Sequence, residues 1–393
     1  MEAGVKDLRP DTLAVRGGQV RSSFDETSEA LFLTSGYVYS SAQEAEAAFK
    51  DEIDRFVYSR YGNPTVEMFQ ERMRLLEGAE ACFATATGMS AVFVALAALL
   101  GKGDRVVSAR GLFGSCFVIL DEILPRWGVQ TVFVDGTDLD QWREALSEPA
   151  AAVFFESPSN PMQELVDIAA VCDLAHGAGA KVVVDNVFGT PVFSRPLELG
   201  ADVIVYSATK HIDGQGRTLG GAILGTSEFI SGPVKNLMRH TGPSMSPFNA
   251  WVLLKGLETL SLRVGRMAAS ALELARVLEA HPKVIRVIYP WLESHPQHDL
   301  ATRQMYGGGT VVTFELVGGK DEAFAVMNAL EIVDISNNLG DAKSMITHPA
   351  TTTHRRLGPE ARLAVGITNG VLRVSVGLED IRDLTEDFTR ALA

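Results

Sequence analysis

Six short apolar runs dominate the middle of the chain: "DRVVSA", "VQTVFVD", "AAVFFES", "KVVVDNV", "ADVIVYS" and "GGAILGT". Most are separated by stretches with apolar residues at three- and four-residue spacing, such as "LVDIAAVCDLAHGAG". A strand covered on one face alternates apolar and polar residues, whereas these runs are apolar at nearly every position and need cover on both faces. Strands of that kind alternating with helices predict an α/β fold with a mainly parallel, doubly wound central sheet, here over residues 61–254. Upstream, residues 1–60 read as a polar, irregular arm. Downstream, "NAWVLLKGLETLSLRVGRMAASALELARVLEAHP" predicts one long connecting helix into a smaller α+β C-terminal domain, 255–393. Its strands are "VIRVIYP", "GTVVTFEL" and "VLRVSVG".

Composition narrows the partner. The 393 residues, 46% of them hydrophobic, suffice for two or three globular units. With a net charge of -14 and no basic block, the chain lacks the electrostatic footprint that nucleic acid requires, so a small molecule is the expected ligand. The longest strongly apolar run, "MSAVFVALAALL", falls short of the roughly 20 residues that span a bilayer, so no membrane partner is expected. The opening "MEAGVKDLRPDTLAVRGGQV" mixes acids, a proline and paired glycines, unlike a secretory signal. Cys82, Cys116 and Cys172 form no C-x-x-C pattern; they predict buried thiols in a reducing cytoplasm and no metal site.

Chemistry is expected where apolar strands end in polar groups. "ADVIVYSATKHIDGQG" closes on Ser207, Thr209 and Lys210, and ligands of α/β sheets sit at such strand tips. "KVVVDNV" ends on Asp185, a carboxylate that needs a partner or solvent. In "CFATATGMSAVFVALAALL" a strand-like start, a Gly88-Met89-Ser90 turn and a helix would present free N–H groups at a positive helix end, as a phosphate requires. Separately, Lys210 and Asp185 have ordinary readings, a solvated lysine at a strand end and a helix or turn cap. Together the three features match the needs of pyridoxal phosphate, which takes an amine on its aldehyde, a cradle for its phosphate and an acid on its ring nitrogen. A nicotinamide dehydrogenase is disfavoured because "GQGRTLGG" lacks G-x-G-x-x-G spacing. A serine hydrolase would need G-x-S-x-G, which does not occur. His295 and His298 of "SHPQHDLA" are expected in a surface loop and not on zinc.

"YSRYGNPT", "TATGMSA", "ESPSNP", "VVVDN", "YSATKHIDGQG", "HPATTTH" and "LRVSVGLED" occur in that order, and over essentially its whole length the chain resembles the Cys/Met-metabolism pyridoxal-phosphate enzymes. The resemblance implies the aspartate-aminotransferase-like fold (fold type I), with Lys210 bonded to the cofactor aldehyde and Asp185 on its ring nitrogen. It further implies that Gly88, Met89, Ser207 and Thr209 hold the phosphate, Asn160 the ring oxygen, and Arg373 the substrate α-carboxylate. Tyr58 and Arg60 would reach the phosphate in the neighbouring subunit, so the arm would complete a partner's site and the assembly would be a homotetramer of active-site-sharing dimers. Two positions depart from the common pattern. Phe113 stands where many members stack a tyrosine on the ring, which leaves proton transfer to Lys210, to water or to another group, with Tyr58 a weak candidate. Asn338, in "NNLGD", replaces a serine in a substrate-side loop. "TLAVRGGQVR", "ALFLTSGYVY", "LFGS" and "SNNLGDAKSMITHPATTTH" are similar to the O-succinylhomoserine sulfhydrylase branch. The implied reaction is γ-replacement: Lys210 moves the Cα and Cβ protons, the γ-succinyl group leaves, and sulfide adds to give homocysteine for methionine biosynthesis. Addition of cysteine, an acetyl donor, and γ-elimination of methionine are the alternatives. Arg110 is one choice for holding the acyl carboxylate.

Overall fold

The computed structural model describes residues 8–393. Seven strands build the larger sheet: β1 (Ala81–Thr85), β2 (Arg105–Ala109), β3 (Gln130–Val134), β4 (Ala152–Glu156), β5 (Lys181–Asp185), β6 (Val203–Ser207) and β7 (Gly221–Gly225). Their order is β1-β7-β6-β5-β4-β2-β3. Neighbours from β6 to β3 are parallel, while β7 runs against both β6 and β1. Every residue of β4 is buried, as are Val182 to Val184 of β5 and the first four residues of β6. That is the two-sided cover implied by their unbroken apolar sequences, and each buried Val or Phe contributes roughly 1.5–3 kcal/mol.

A second sheet of five strands follows, β8 (Val284–Ile288), β9 (Val311–Leu316), β10 (Asp334–Ile335), β11 (Met345–Thr347) and β12 (Val371–Ser375), ordered β10-β11-β12-β9-β8. Its core forms against the helices Leu260–Glu279, Gly319–Ala329 and Ile381–Ala391. The single connecting helix expected from the sequence is two helices, Pro247–Leu257 and Leu260–Glu279. The first packs on the Pro64–Glu77 helix of the large sheet. The second begins in that core at Leu260 and Val264 and ends in the other at Ala271, Leu274 and Leu278, so the break redirects the chain between two cores. None of the described helices is long and apolar enough to cross a membrane.

The arm is tied down by one buried arginine. Arg72 donates to the Gly17 carbonyl at 2.8 Å, the Leu254 carbonyl at 3.3 Å and the Glu29 carboxylate at 2.5 Å. Lys255 shares that carboxylate. Beyond these anchors the arm leaves Phe24 88% and Val38 87% exposed.

Behind β6, the Tyr206 hydroxyl donates to Glu77 and accepts from Asn186 Nδ2 at 2.6 Å. The other Glu77 oxygen has no partner among the described residues. Burial pushes the Glu77 carboxyl up to about 7 against the pull of Tyr206. The fold therefore favours the protonated acid: that stability is complete below the ordinary value of 4.5 and is lost as pH rises through about 7. Glu77→Gln should flatten this slope and exceed the native chain above pH 7 by on the order of 2 kcal/mol. Denaturant midpoints at about pH 5 and about pH 8 measure it, and equal slopes for both proteins would contradict a buried neutral Glu77.

Candidate active site

The carboxyl ends of β4, β5 and β6 open into one cavity of about 260 Å³. Gly88, Met89, Phe113, Asn160, Asp185, Ser207, Thr209, Lys210 and Arg373 all line it. Each arrives for a local reason. β1 delivers the chain to the Gly88–Leu99 helix, whose N-cap Thr87 takes the Ser90 N–H at 3.1 Å and leaves those of Gly88 and Met89 without an acceptor among the described residues. A Cβ on Gly88 would fall 2.5 Å from Cβ of Ser207, so glycine lets the helix start approach the tip of β6. Likewise a Cβ on Gly221 would lie 2.4 Å from the Thr85 hydroxyl, so glycine lets β7 pass close behind the same turn. The Thr209 hydroxyl accepts the Gly220 N–H at 3.1 Å, pinning the turn that carries Lys210.

Charge is arranged in two groups. Lys210 Nζ donates to Asn338 Oδ1 at 2.5 Å; burial, and then the charge of Arg373, pull its amine down to about 8. Arg373 is 2% exposed and donates to Asn160 Oδ1 at 2.9 Å and to the carbonyls of Asn337 and Asn338 at 2.9 and 3.2 Å. Its Nε has no partner among the described residues, and burial lowers its guanidinium to about 10. Deeper in, Asp185 accepts the Val187 N–H at 3.1 Å, and burial raises its carboxyl to about 7. Glu156 pairs with Asp185 in the β4–β5 register and is pushed well above the usual carboxylate range, first by burial and then by Asp185.

Not every expected residue is here. Asn338 meets Lys210 through its side chain and Arg373 through its carbonyl, with Asn337 and Leu339 on the cavity wall. Tyr58 and Arg60 lie away from this cavity in their own chain. Arg60 and Arg239 both sit on the Tyr61 ring, at 4.7 and 5.0 Å, and Arg60 donates to the Arg239 carbonyl. Arg110 borders a separate narrow cleft and donates to the Phe133 carbonyl at 3.2 Å. His295, expected in a surface loop, is 5% exposed, because its Nδ1 accepts the Gln297 N–H within a turn packed on the core. Burial holds its imidazole down at about 4. The cysteines are free and buried, and Cys116 lies in the cavity wall beside Glu156, which sequence reading had not anticipated. Glu156 was also missed, although "AVFFE" ends in an acid just as "KVVVD" does.

The arrangement fits a phosphorylated pyridine aldehyde. Free helix N–H groups with two hydroxyls suit a dianion, a depressed lysine amine suits carbonyl attachment, and a buried acid without a cation suits a protonated ring nitrogen. The family model for Cys/Met metabolism PLP-dependent enzymes matches residues 11–393. An O-succinylhomoserine sulfhydrylase of Mycobacterium tuberculosis is 66% identical over 386 residues, covering 97% of this chain and 95% of the relative. That of Pseudomonas aeruginosa is 51% identical over 384 residues, covering 98% and 95%. The crystal structure of cystathionine gamma synthase from Xanthomonas oryzae pv. oryzae, in complex with aminoacrylate and cysteine, superposes with a TM-score of 0.93 at 32% identity over 98% of each chain. A larger, mainly parallel sheet, a smaller second sheet, a lysine on a strand tip and a match spanning nearly every residue lead to one conclusion: this chain is an enzyme of the pyridoxal-phosphate-dependent Cys/Met metabolism family.

Proposed function

We propose that the chain catalyses γ-replacement on O-succinyl-L-homoserine, exchanging the succinyl group for sulfide to give homocysteine and succinate. The observation that carries an amino-acid substrate is the pairing of Lys210 with a buried, carboxylate-free Arg373 in one cavity. The succinyl donor and sulfide acceptor rest on the two sulfhydrylases, whose identity to this chain is more than half. Bound pyridoxal phosphate supplies an electron sink that acidifies the substrate Cα–H and Cβ–H bonds. The chain supplies everything else. Gly88 and Met89 N–H groups with the Ser207 and Thr209 hydroxyls would hold the phosphate, Asp185 the ring nitrogen, and Asn160 the ring oxygen. Arg373 clamps the α-carboxylate and so sets the Cα–H bond toward Lys210. Lys210, neutral above about pH 8, takes the Cα proton and is long and flexible enough to serve Cβ as well. Phe113 lines the same cavity but offers no proton, which leaves the lysine as its principal base.

The arm bears on assembly. Arg60 and Arg239 stack on one tyrosine ring without meeting a carboxylate among the described residues, and a guanidinium fork suits phosphate. Exposed apolar residues along the arm call for a covering surface. Residues 1–60 thus serve a neighbouring subunit, with Tyr58 and Arg60 on its phosphate, in dimers that pair into a tetramer. Three buried free thiols suit a reducing compartment, the cytoplasm. Arg60→Ala is expected to weaken cofactor retention about 10- to 100-fold with the fold intact, measured by absorbance after dialysis. Undiminished retention would sever the arm from the phosphate.

Rates with sulfide and with cysteine, each on O-succinyl- and O-acetyl-homoserine, test the reaction. The succinyl ester with sulfide should be fastest; preference for cysteine, or turnover of methionine alone, would overturn it.

A further inference from the structure

Two acids lie side by side at the floor of the cavity, and only Asp185 has a task so far. Glu156 is 5% exposed and is the register partner of Asp185 across β4 and β5. The Cys116 sulfur and one oxygen from each acid all fall within 4.8 Å of one another. Glu156 Oε1 accepts the Phe113 N–H at 2.6 Å, and Oε2 accepts the Asn160 N–H at 3.2 Å.

Among the described residues neither acid forms an ion pair with a cation. From the Gly114–Val118 helix comes Cys116, whose thiol is pushed well above its usual range by burial and by both acids, so it faces them uncharged. The Tyr206 phenol of β6 turns to the other face of the sheet, onto Glu77 and Asn186. His354, against the Leu112 carbonyl, is pulled down to about 4 by burial and is uncharged at neutral pH. Lys210 and Arg373 line the same cavity, but Lys210 donates to Asn338 Oδ1 and Arg373 to Asn160 Oδ1 and the carbonyls of Asn337 and Asn338, and neither reaches an acid. Two like charges this close in a buried site do not both persist, so one acid keeps its proton. A protonated ring nitrogen brings one positive charge, enough to balance one carboxylate. That charge would sit against Asp185, which has a single backbone donor; the two backbone N–H bonds to Glu156 favour its ionised form, but burial beside Asp185 outweighs them.

We propose that Glu156 is a positioning residue of the cofactor site: it stays protonated beside Asp185, leaves the negative charge there for the ring nitrogen, and fixes Phe113 through its N–H. This rests on pyridoxal phosphate occupying the cavity. The test uses holoenzyme labelled with carbon-13 at glutamate side-chain carboxyls, comparing the native chain with Glu156→Gln by infrared difference spectroscopy at neutral pH. One labelled protonated-carboxyl stretch that moves down in heavy water is expected; a labelled ionised-carboxylate pair would overturn the proposal. Glu156→Asp deletes the same labelled band while keeping an acid, so the comparison survives if the glutamine variant misfolds. Exchanging a neutral acid for an amide should move the pH midpoint of the visible band by less than about 0.3 unit; removal of a charge would move it by about 1 unit or more. Glu156→Ala should reduce the visible circular dichroism of the bound cofactor by about half as Phe113 loosens, and an undiminished signal would remove the positioning role. A native protein without any visible band would defeat the cofactor reading, which separates that failure from an ionised Glu156.

Discussion

Lys210→Ala is expected to lose turnover by roughly 10,000-fold or more, together with the visible band that borohydride fixes to the protein. The size follows from how many duties fall on one amine. It is the covalent anchor, and it is the base for two carbons in a cavity where Phe113 replaces a proton donor. Burial and the charge of Arg373 bring it down to about 8, so a useful fraction is neutral near physiological pH. The lysine's folded value lies below its ordinary 10.5, so the active base forms as pH rises: kcat should climb about tenfold per unit below pH 8 and level above it. Folding should survive the substitution, since the amine's recorded partner is the Asn338 side chain and the strand behind it is buried without it. A variant that unfolds near the native temperature, keeps cofactor and still turns over would end the assignment of the base.

The strands of the large sheet were legible because being apolar on both faces admits few architectures. Direction was less so. "GGAILGT" reads the same in either sense, yet β7 is reversed because residues 208–220, which join it to β6, form turns and no crossover helix. A parallel neighbour needs such a crossover. The break at Glu258–Thr259 was hidden for a related reason: both helices bury apolar faces, so periodicity runs on while the buried face changes partner. At the site, strand-tip residues were readable and contacts between distant segments were not. Asp185 announced itself as an acid closing a valine run; Glu156 gave the same signal and was passed over inside "ESPSNP". That Asn338 would accept from Lys210, 128 residues away, had no local signature. Arg60 is a third case, since a contact made in a neighbouring subunit leaves in its own chain only a guanidinium on a tyrosine ring.

Arg373→Ala should lower kcat/KM about 100- to 1,000-fold, chiefly through KM, while the visible band is retained. Arg373 sits on β12 between the fully buried Leu372 and Val374, opposite Thr347 and Thr313. Its acceptors are one amide oxygen and two carbonyls, all uncharged, and its Nε has none. At about 10 the guanidinium is still charged at neutral pH, so the fold carries a buried cation without a counter-charge among the described residues. Such a cation costs several kcal/mol, and a structural role alone would be better served by an apolar residue of similar volume. A ligand carboxylate meets the deficit, and losing one partner of a buried, hydrogen-bonded charge pair costs about 2–5 kcal/mol. Arg373→Lys keeps the charge without the fork and should fall between the two. The same charge acts on Lys210, so in the alanine variant the rising limb of the pH profile should also move upward, a shift that simple loss of packing would not produce. An unchanged KM with an unmoved limb would take the substrate carboxylate away from Arg373 and require another cation for it.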